Sequence, residues 1–365
     1  MNPSESRVRV LIVDDSALMR KLLADLLRTA PEVEVVGSAR DGDEAVRLTA
    51  ELRPHVVTLD VEMPGRSGLD VLPEILSAHE TSVLMVSSFT QEGADVTLAA
   101  LERGAADFFP KPDRHQLARM REGRDQFVAK VLEVAQYRPR RRRSEAHAPT
   151  PAPTPPPRPQ PAEPAEPKAS GGAAASFRCV VIGISTGGPQ ALGAVLPLIA
   201  PPVPPVLVVQ HMPAQFTAVF AQRLNRSCQV PVKEAAEGDR VVPNQILVAP
   251  GGRHMGLAGL PPKARVTLSD DPPMTGHKPS VDYLFKSAAR VFQAGAVGFI
   301  MTGMGRDGVE GCHKILAAGG MTYGQDEATS SVYGMNKVAF LEGAVLGQFS
   351  LDQLPALIRK ASAAR

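Results

Sequence analysis

Residues 7–27 read RVRVLIVDDSALMRKLLADLL, and this stretch decides the fold class. The apolar run through Val13 is a buried strand that ends on Asp14 and Asp15. Ser16 then supplies a hydroxyl suited to cap the helix that follows at once. The same unit recurs downstream. VEVVGSA (33–39), VVTLD (56–60), SVLMVSS (82–88) and DFFPKP (107–112) read as strands. DGDEAVRLTAEL (41–52), SGLDVLPEILSA (67–78) and EGADVTLAALERG (92–104) read as the helices between them, and an amphipathic stretch from Asp113 to Tyr137 closes the series. Five βα units in about 130 residues imply a doubly wound parallel sheet with its functional site at the carboxyl ends of the strands.

The alternation stops at Arg138. Residues 138–176 open with Arg138 and Arg140–Arg143 and carry ten prolines between Pro149 and Pro167. Such a run cannot pack a core and reads as an extended, semi-rigid linker. The arginines read as a solvated linker edge rather than a nucleic-acid arm, because no groove-reading element follows them. A second α/β pattern then begins. FRCVVIGIS (177–185), PPVLVVQHM (204–212), NQILVAP (244–250), ARVTLSD (264–270) and AVGFIMTGM (296–304) read as strands. PQALGAVLPLI (189–199), FTAVFAQRLNR (216–226), SVDYLFKSAARVF (280–292) and GVEGCHKILAAG (308–319) read as helices. The chain therefore divides into 1–137, a linker at 138–176, and 177–365.

Composition sets outer limits. With 44% hydrophobic and 21% charged residues the chain is an ordinary folded protein. Its 40 basic and 38 acidic groups leave a net charge of +2, which argues neither for nor against a polyanionic partner. The sum hides an asymmetry: residues 1–137 carry 16 basic and 23 acidic groups (−7), and residues 177–365 carry 17 and 12 (+5). Two such halves attract each other. Cys179, Cys228 and Cys312 are too few and too scattered for a disulfide framework or a zinc cluster, which fits a reducing compartment. MNPSESRVRV lacks the pattern of a secretory signal, and the most apolar stretch, 191–209, holds five prolines, so no membrane insertion is expected.

Asp14 and Asp15 end the first strand, Asp60 the third and Ser87 the fourth, and Lys111 follows the fifth. Parallel strands bring these ends to one edge. Three carboxylates there repel one another unless a hard cation such as Mg²⁺ sits among them. That cation and the Lys111 ammonium make Asp60 a plausible phosphoryl acceptor. Residues 7 to about 130 resemble a response-regulator receiver domain, a flavodoxin-like five-stranded fold. The resemblance implies that Asp14, Asp15 and Asp60 bind Mg²⁺ and that a partner histidine kinase phosphorylates Asp60. It further implies that Ser87 and Lys111 contact the phosphoryl group while Phe108 repositions between states. Many receivers carry Tyr where this chain has Phe108, so no hydroxyl-dependent switch is available.

GISTGGP (183–189) follows a strand and opens a helix. As a dinucleotide fingerprint it fails, because Ser185 stands at the middle glycine and the next strand ends in Gln210-His211, where a ribose-binding acid is expected. As G-x-S-x-G it is a strand–turn–helix elbow presenting the Ser185 hydroxyl, with Pro189 at a first helical position. A serine nucleophile needs a base, and the base needs an orienting acid. His211 ends the neighbouring strand and faces the same edge. His254 and His277 fall on loops that could line a cleft, and His313 lies within a helix. Asp307 sits in TGMGRDG (302–308), just beyond the strand AVGFIM. The order Ser, His, Asp differs from that of α/β-hydrolases.

Residues 178–354 resemble the catalytic domain of the chemotaxis methylesterase CheB family, carried by IGISTGGP, VVQHMP, APGGRHM, KPSVDYLF and MTGMGRDG together with the receiver–linker–esterase order. The resemblance implies a doubly wound, Rossmann-like esterase domain with Ser185 as nucleophile, His211 as base and then acid, and Asp307 as orienting carboxylate. The Met304 backbone N–H is implied in the oxyanion hole. Implied with these are hydrolysis of glutamate γ-methyl esters, and deamidation of glutamines, on methyl-accepting chemoreceptors in the cytoplasm. A chemotaxis-type histidine kinase is the implied phosphodonor, Mg²⁺ serves the receiver only, and ester hydrolysis takes no cofactor. A DNA-binding regulator would need a small helix-turn-helix after the receiver, and a back half of about 190 residues is not that. The linker is longer than the family pattern. The opposite net charges also lead us to expect a resting form in which the receiver shields the Ser185 cleft, with packed contacts carrying most of the closure.

Overall fold

The computed structural model describes residues 7–87, 91–111, 120–137 and 178–363. The expected linker at 138–176, with its arginine run, and Pro112 lie outside the described residues. The front half is a five-stranded parallel sheet of β1 (Val8–Val13), β2 (Val33–Ala39), β3 (Val56–Asp60), β4 (Ser82–Ser87) and β5 (Asp107–Pro110), in the order β2-β1-β3-β4-β5. Every residue of β3 and β4 is buried, as both faces are covered by helices. Those helices are α1 (Ala17–Leu27), α2 (Gly42–Leu52), α3 (Gly68–Ala78), α4 (Gln91–Glu102) and α5 (Met120–Ala135). Ser16, Asp41 and Ser67 cap the first three through their side chains, as their chemistry predicts. Pro73 lies inside α3, and Arg103 donates to the Leu69 carbonyl, four residues earlier, that a helical N–H at 73 would have used.

The back half holds a seven-stranded sheet, all of whose pairings are parallel. Its strands are β6 (Cys179–Ile184), β7 (Val206–Gln210), β8 (Val232–Glu234), β9 (Ile246–Val248), β12 (Ala296–Ile300), β13 (Met321–Gln325) and β14 (Gly347–Phe349), ordered β14-β13-β12-β6-β7-β9-β8. Strand order reverses between β6 and β12, so the crevice for chemistry opens there. Flanking helices are α6 (Gly188–Val195), α7 (Ala214–Ser227), α8 (Val281–Phe292), α9 (Val309–Ala317), α10 (Met335–Leu341) and α11 (Leu354–Ala363). β10 (His254–Ala258) and β11 (Arg265–Ser269) form a separate antiparallel hairpin.

Sequence patterning leaves out β8, β10, β13, β14, α10 and α11. The four strands are only three to five residues long, and α10 is seven, too short for a period to register. The predicted helix at 189–199 is α6 followed by a 3₁₀ turn at Leu196–Leu198, because Pro197 removes a donor from the helical ladder.

Helices α8 and α9 cross at a glycine. A Cβ on Gly311 would lie 2.4 Å from the Phe285 Cβ and 3.3 Å from the Asp282 Cα, and the Gly311 N–H donates to the buried Asp282 Oδ1 at 2.7 Å. Gly311→Ala should therefore overpack the crossing and destabilise the back half by about 1–3 kcal/mol. The check is a calorimetric Tm a few degrees below that of the parent chain.

Candidate active site

Two sites form at two strand reversals. In the front half Asp14 follows β1 and Asp60 ends β3, on either side of the reversal in that sheet. Asp14 and Asp60 are buried, Asp15 is exposed, and one carboxylate oxygen from each lies within 4.8 Å of the others. The Lys111 ammonium sits 2.8 Å from Asp14 Oδ2 and 2.6 Å from Asp60 Oδ2. Burial pushes the Asp60 pKa up to about 6 despite the opposing pull of Lys111. One ammonium thus leaves the cluster short of positive charge, and three hard oxygens fit a divalent cation of the Mg²⁺ type. Ser87 ends β4 opposite Pro110, and its carbonyl accepts from the Lys111 N–H at 2.6 Å. Phe108 is buried, and its ring centroid lies 4.2 Å from that of Phe216 on α7 in the other half.

In the back half Ser185 follows β6 and is 4% exposed. Its N–H donates to the Thr302 carbonyl at 2.9 Å, and its carbonyl accepts from Gly188 N at 2.8 Å, which closes the elbow. Gly187 takes φ +79°, and Pro189 occupies the first turn of α6. Gln210, buried at the end of β7, donates through Nε2 to the Ser185 carbonyl (3.0 Å) and to the His211 carbonyl (3.1 Å). Gly303, at φ +152°, comes so close that a Cβ there would lie 2.5 Å from the Ser185 Cβ.

Asp307 is buried and saturated with donors. Oδ2 accepts from His211 Nε2 at 2.8 Å and from Val281 N at 2.7 Å. Oδ1 accepts from the Ser280 hydroxyl at 2.8 Å and from Asp282 N at 3.1 Å. Ser280 is the N-cap of α8, so the carboxylate sits on a helix N-terminus. Burial alone would raise the Asp307 pKa. The His211 hydrogen bond and charge, with the Val281 and Ser280 donors, outweigh it and hold the pKa at about 2. An ionised Asp307 fixes the proton of His211 on Nε2, leaving Nδ1 as an acceptor. Nδ1 is buried and has no hydrogen-bond partner among the described residues.

The remaining histidines separate. His277 stacks on His211 with centroids 3.9 Å apart and rings 4° from parallel. Burial first, and then the His211 charge, push its pKa down to about 4. His254 lies on β10 rather than a loop and is fully buried. Its Nδ1 accepts from Ser280 N (3.2 Å), and its Nε2 reaches the Pro272 carbonyl (3.1 Å), so both nitrogens are committed to structure. His313 is exposed on α9. Sequence reasoning misses Gln210, Thr302 and Gly303 as positioning residues; the signal for Gly303 is its place in TGMGRDG, where glycines permit close approach.

The receiver-like half lies against this crevice. The Met304 N–H donates to Glu133 Oε1 on α5 at 3.3 Å, and Lys130 Nζ lies 2.7 Å from Glu133 Oε2. Lys130 also meets Asp107 (2.8 Å) and the Thr186 hydroxyl (3.2 Å), and Thr186 donates to Asp107. At the rim Arg223 pairs with Glu102 at 2.7 Å and Asp95 at 3.5 Å. No helix among the described residues is long and apolar enough to cross a membrane.

Comparison with known proteins agrees with both halves. Residues 180–358 match the CheB methylesterase family, and residues 10–122 match the response regulator receiver domain. The chain is 42% identical to the protein-glutamate methylesterase/protein-glutamine glutaminase 2 of Koribacter versatilis over 98% of its length and 97% of the relative's. It is 43% identical to the protein-glutamate methylesterase/protein-glutamine glutaminase of Pyrococcus abyssi, over 97% of this chain and 94% of that one. The crystal structure of the Thermotoga maritima CheB methylesterase catalytic domain superposes with a TM-score of 0.50 at 34% identity, covering 52% of this chain and all of that domain. With two strand-reversal sites in one chain, and identity sustained along nearly its whole length, this protein belongs to the CheB family of receiver-linked methylesterases.

Proposed function

We propose that this chain is a phosphorylation-activated serine esterase that hydrolyses glutamate γ-methyl esters, and deamidates glutamines, on cytoplasmic chemoreceptors. The proposed division is a receiver at 1–137, a linker at 138–176 and a catalytic domain at 177–365. The observation that carries the reading is the His211 ring, clamped to Asp307 through Nε2 while buried Nδ1 stays free at the edge where Ser185 emerges. In this mechanism Nδ1 takes the Ser185 proton as the hydroxyl oxygen attacks the ester carbonyl. The Met304 N–H receives the developing oxyanion. As the tetrahedral intermediate collapses, His211 gives the proton to the leaving methoxide oxygen to release methanol, and water cleaves the acyl-enzyme by the same groups to leave a glutamate carboxylate. Asp307 stays ionised throughout and holds the tautomer.

For the receiver, Asp14, Asp15 and Asp60 would hold Mg²⁺, and Asp60 would accept the phosphoryl group from a chemotaxis-type histidine kinase. The bound cation supplies positive charge against the phosphoryl oxygens. Lys111 would add its ammonium, and Ser87 stands at the neighbouring strand end. Phe108, packed on Phe216, is the residue through which that change reaches the catalytic half.

Ser185→Ala and His211→Ala should each cut methanol release from methylated receptor by roughly 10³-fold or more, and Asp307→Ala by less. If His211→Ala kept full activity while His254→Ala lost it, the base would be misassigned. Chelation should abolish phosphorylation of Asp60 while leaving the basal rate of the unphosphorylated chain unchanged; a chelator-sensitive basal rate would refute the serine mechanism.

His277 gives a pH test. Folded, it binds a proton only near pH 4; unfolded, it does so near its ordinary 6.5. Between those values the unfolded chain binds more protons, so stability falls as pH drops through the window. The neighbours that set this are His211, Asp307, Lys130 and Glu133. Denaturant unfolding from pH 7 to 4 should show a loss of at most about 3 kcal/mol that His277→Gln removes. Parallel curves for parent and variant would contradict it.

A further inference from the structure

We propose that Glu133 is a product mimic held in cis: the receiver helix α5 presents a glutamate carboxylate to the Met304 amide, the donor assigned above to the oxyanion. The proposal rests on the esterase reading of the cleft and deepens it. A receiver that only covered the site could do so with neutral or apolar side chains. Instead a carboxylate, 6% exposed, enters the crevice and accepts from Met304 N–H at 3.3 Å. Burying a carboxylate is costly unless its charge is matched. Part of the match is built in: Lys130, one turn earlier on α5, lies 2.7 Å from Glu133 Oε2 and shares its charge with Asp107 at 2.8 Å. Lys130 in turn reaches the hydroxyl of Thr186, the residue after Ser185, at 3.2 Å. Burial opposes ionisation of Glu133, yet the Lys130 charge and hydrogen bond, with the Met304 N–H, hold its pKa below the ordinary glutamate value.

The chemistry is that of the reaction's end point. Hydrolysis of a glutamyl ester leaves a γ-carboxylate, one oxygen of which has just occupied the oxyanion position. Glu133 carries the same group on the same length of side chain and meets the same donor. Tethering makes the competition intramolecular, so even a weak product-like contact is populated at high effective concentration. Substrate and Glu133 cannot both hold the Met304 amide. Any receiver movement that withdraws α5 frees it.

The test uses the full chain and three substitutions. Glu133→Gln keeps the shape of the cover but removes the charge that Lys130 neutralises; Glu133→Ala removes the group; Arg223→Ala breaks only the rim pairs. In unphosphorylated protein, both Glu133 variants should raise kcat/KM for methylated receptor by roughly tenfold to a hundredfold, or to the phosphorylated wild-type level if that is lower. Arg223→Ala should change it by less than about fivefold. After phosphorylation all four proteins should be alike. Hydrogen exchange supplies a readout without turnover: protection of the Met304 amide should fall in both Glu133 variants and persist in Arg223→Ala. Basal rates at the wild-type level, a rise no larger than that of Arg223→Ala, or unchanged Met304 protection would each overturn the proposal. If wild-type and Ser185→Ala proteins released methanol equally slowly, the esterase reading would fail, and exchange would still decide whether Glu133 holds Met304.

Discussion

The catalytic half is organised around one carboxylate on one helix end. Asp307 takes four donors, three of them from Ser280, Val281 and Asp282 at the start of α8 and the fourth from His211. A helix N-terminus favours negative charge, so the local field and the hydrogen bonds act in the same direction. The helix end is itself fixed by the core. A Cβ on Gly183 of β6 would lie 2.2 Å from Val281 Cγ1, and one on Gly308 would lie 2.6 Å from the same atom. Only glycines let α8 approach that closely. His211 is therefore anchored through Asp307 to packed backbone rather than to a loop, which is the support that a precisely aimed base needs. Gln210 completes the frame by tying the Ser185 and His211 backbones together, which holds the proposed nucleophile and base side by side.

One short strand lies between the two sites. β5 is followed by Lys111, which pairs with Asp14 and Asp60, while Asp107 and Phe108 of the strand face the back half and Phe109 packs on Phe127 in the front half's own core. Asp107 meets Lys130 and Thr186, and Phe108 packs on Phe216. The front-half apolar core and the α6–α7 core form one continuous cluster through this contact. A change in the charge that Lys111 faces thus lies four residues along the chain from an ionic cluster touching the residue after the proposed nucleophile. Packed cores shift between discrete arrangements rather than deforming smoothly, so a small pull at the strand end is a reasonable trigger for undocking.

Much of this was legible in the residues, and the exceptions have physical causes. The five front strands and the first cap read directly, because buried parallel strands are continuous apolar runs and Ser16 is a strong cap. Asp14, Asp60 and Lys111 could be brought together without coordinates, since parallel strands place their ends at one edge. Ser185, His211 and Asp307 converge by the same reasoning at the reversal between β6 and β12. β10 was hidden because GGRHMG carries glycines where a strand pattern needs side chains; burial there comes from packing on α8. Gln210 was illegible as a clamp because its value lies in two backbone carbonyls that only folding brings within reach. Glu133 and Lys130 look like an ordinary i,i+3 pair on a solvated helix face, and nothing local says that the face is covered by another domain.

The opposite charges of the two halves turn out to act mainly at the rim, and magnitudes show why that suits a switch. Exposed pairs such as Arg223 with Glu102 are worth roughly 0–1 kcal/mol and are screened by salt. The Phe108–Phe216 contact adds about 0.5–1.5 kcal/mol beyond the area it buries. The Lys130–Glu133–Asp107 cluster sets one ammonium against two carboxylates, and a buried ion pair gains little over its desolvation cost, so it adds little to docking. Beyond the apolar cluster that the halves share, the polar contacts contribute only small terms to closure. Each change of about 1.4 kcal/mol moves an open-to-closed ratio tenfold, so the proposed charge change at Asp60 needs only a small net term to shift access to Ser185. A tightly fused interface would need far more than a phosphoryl group can supply.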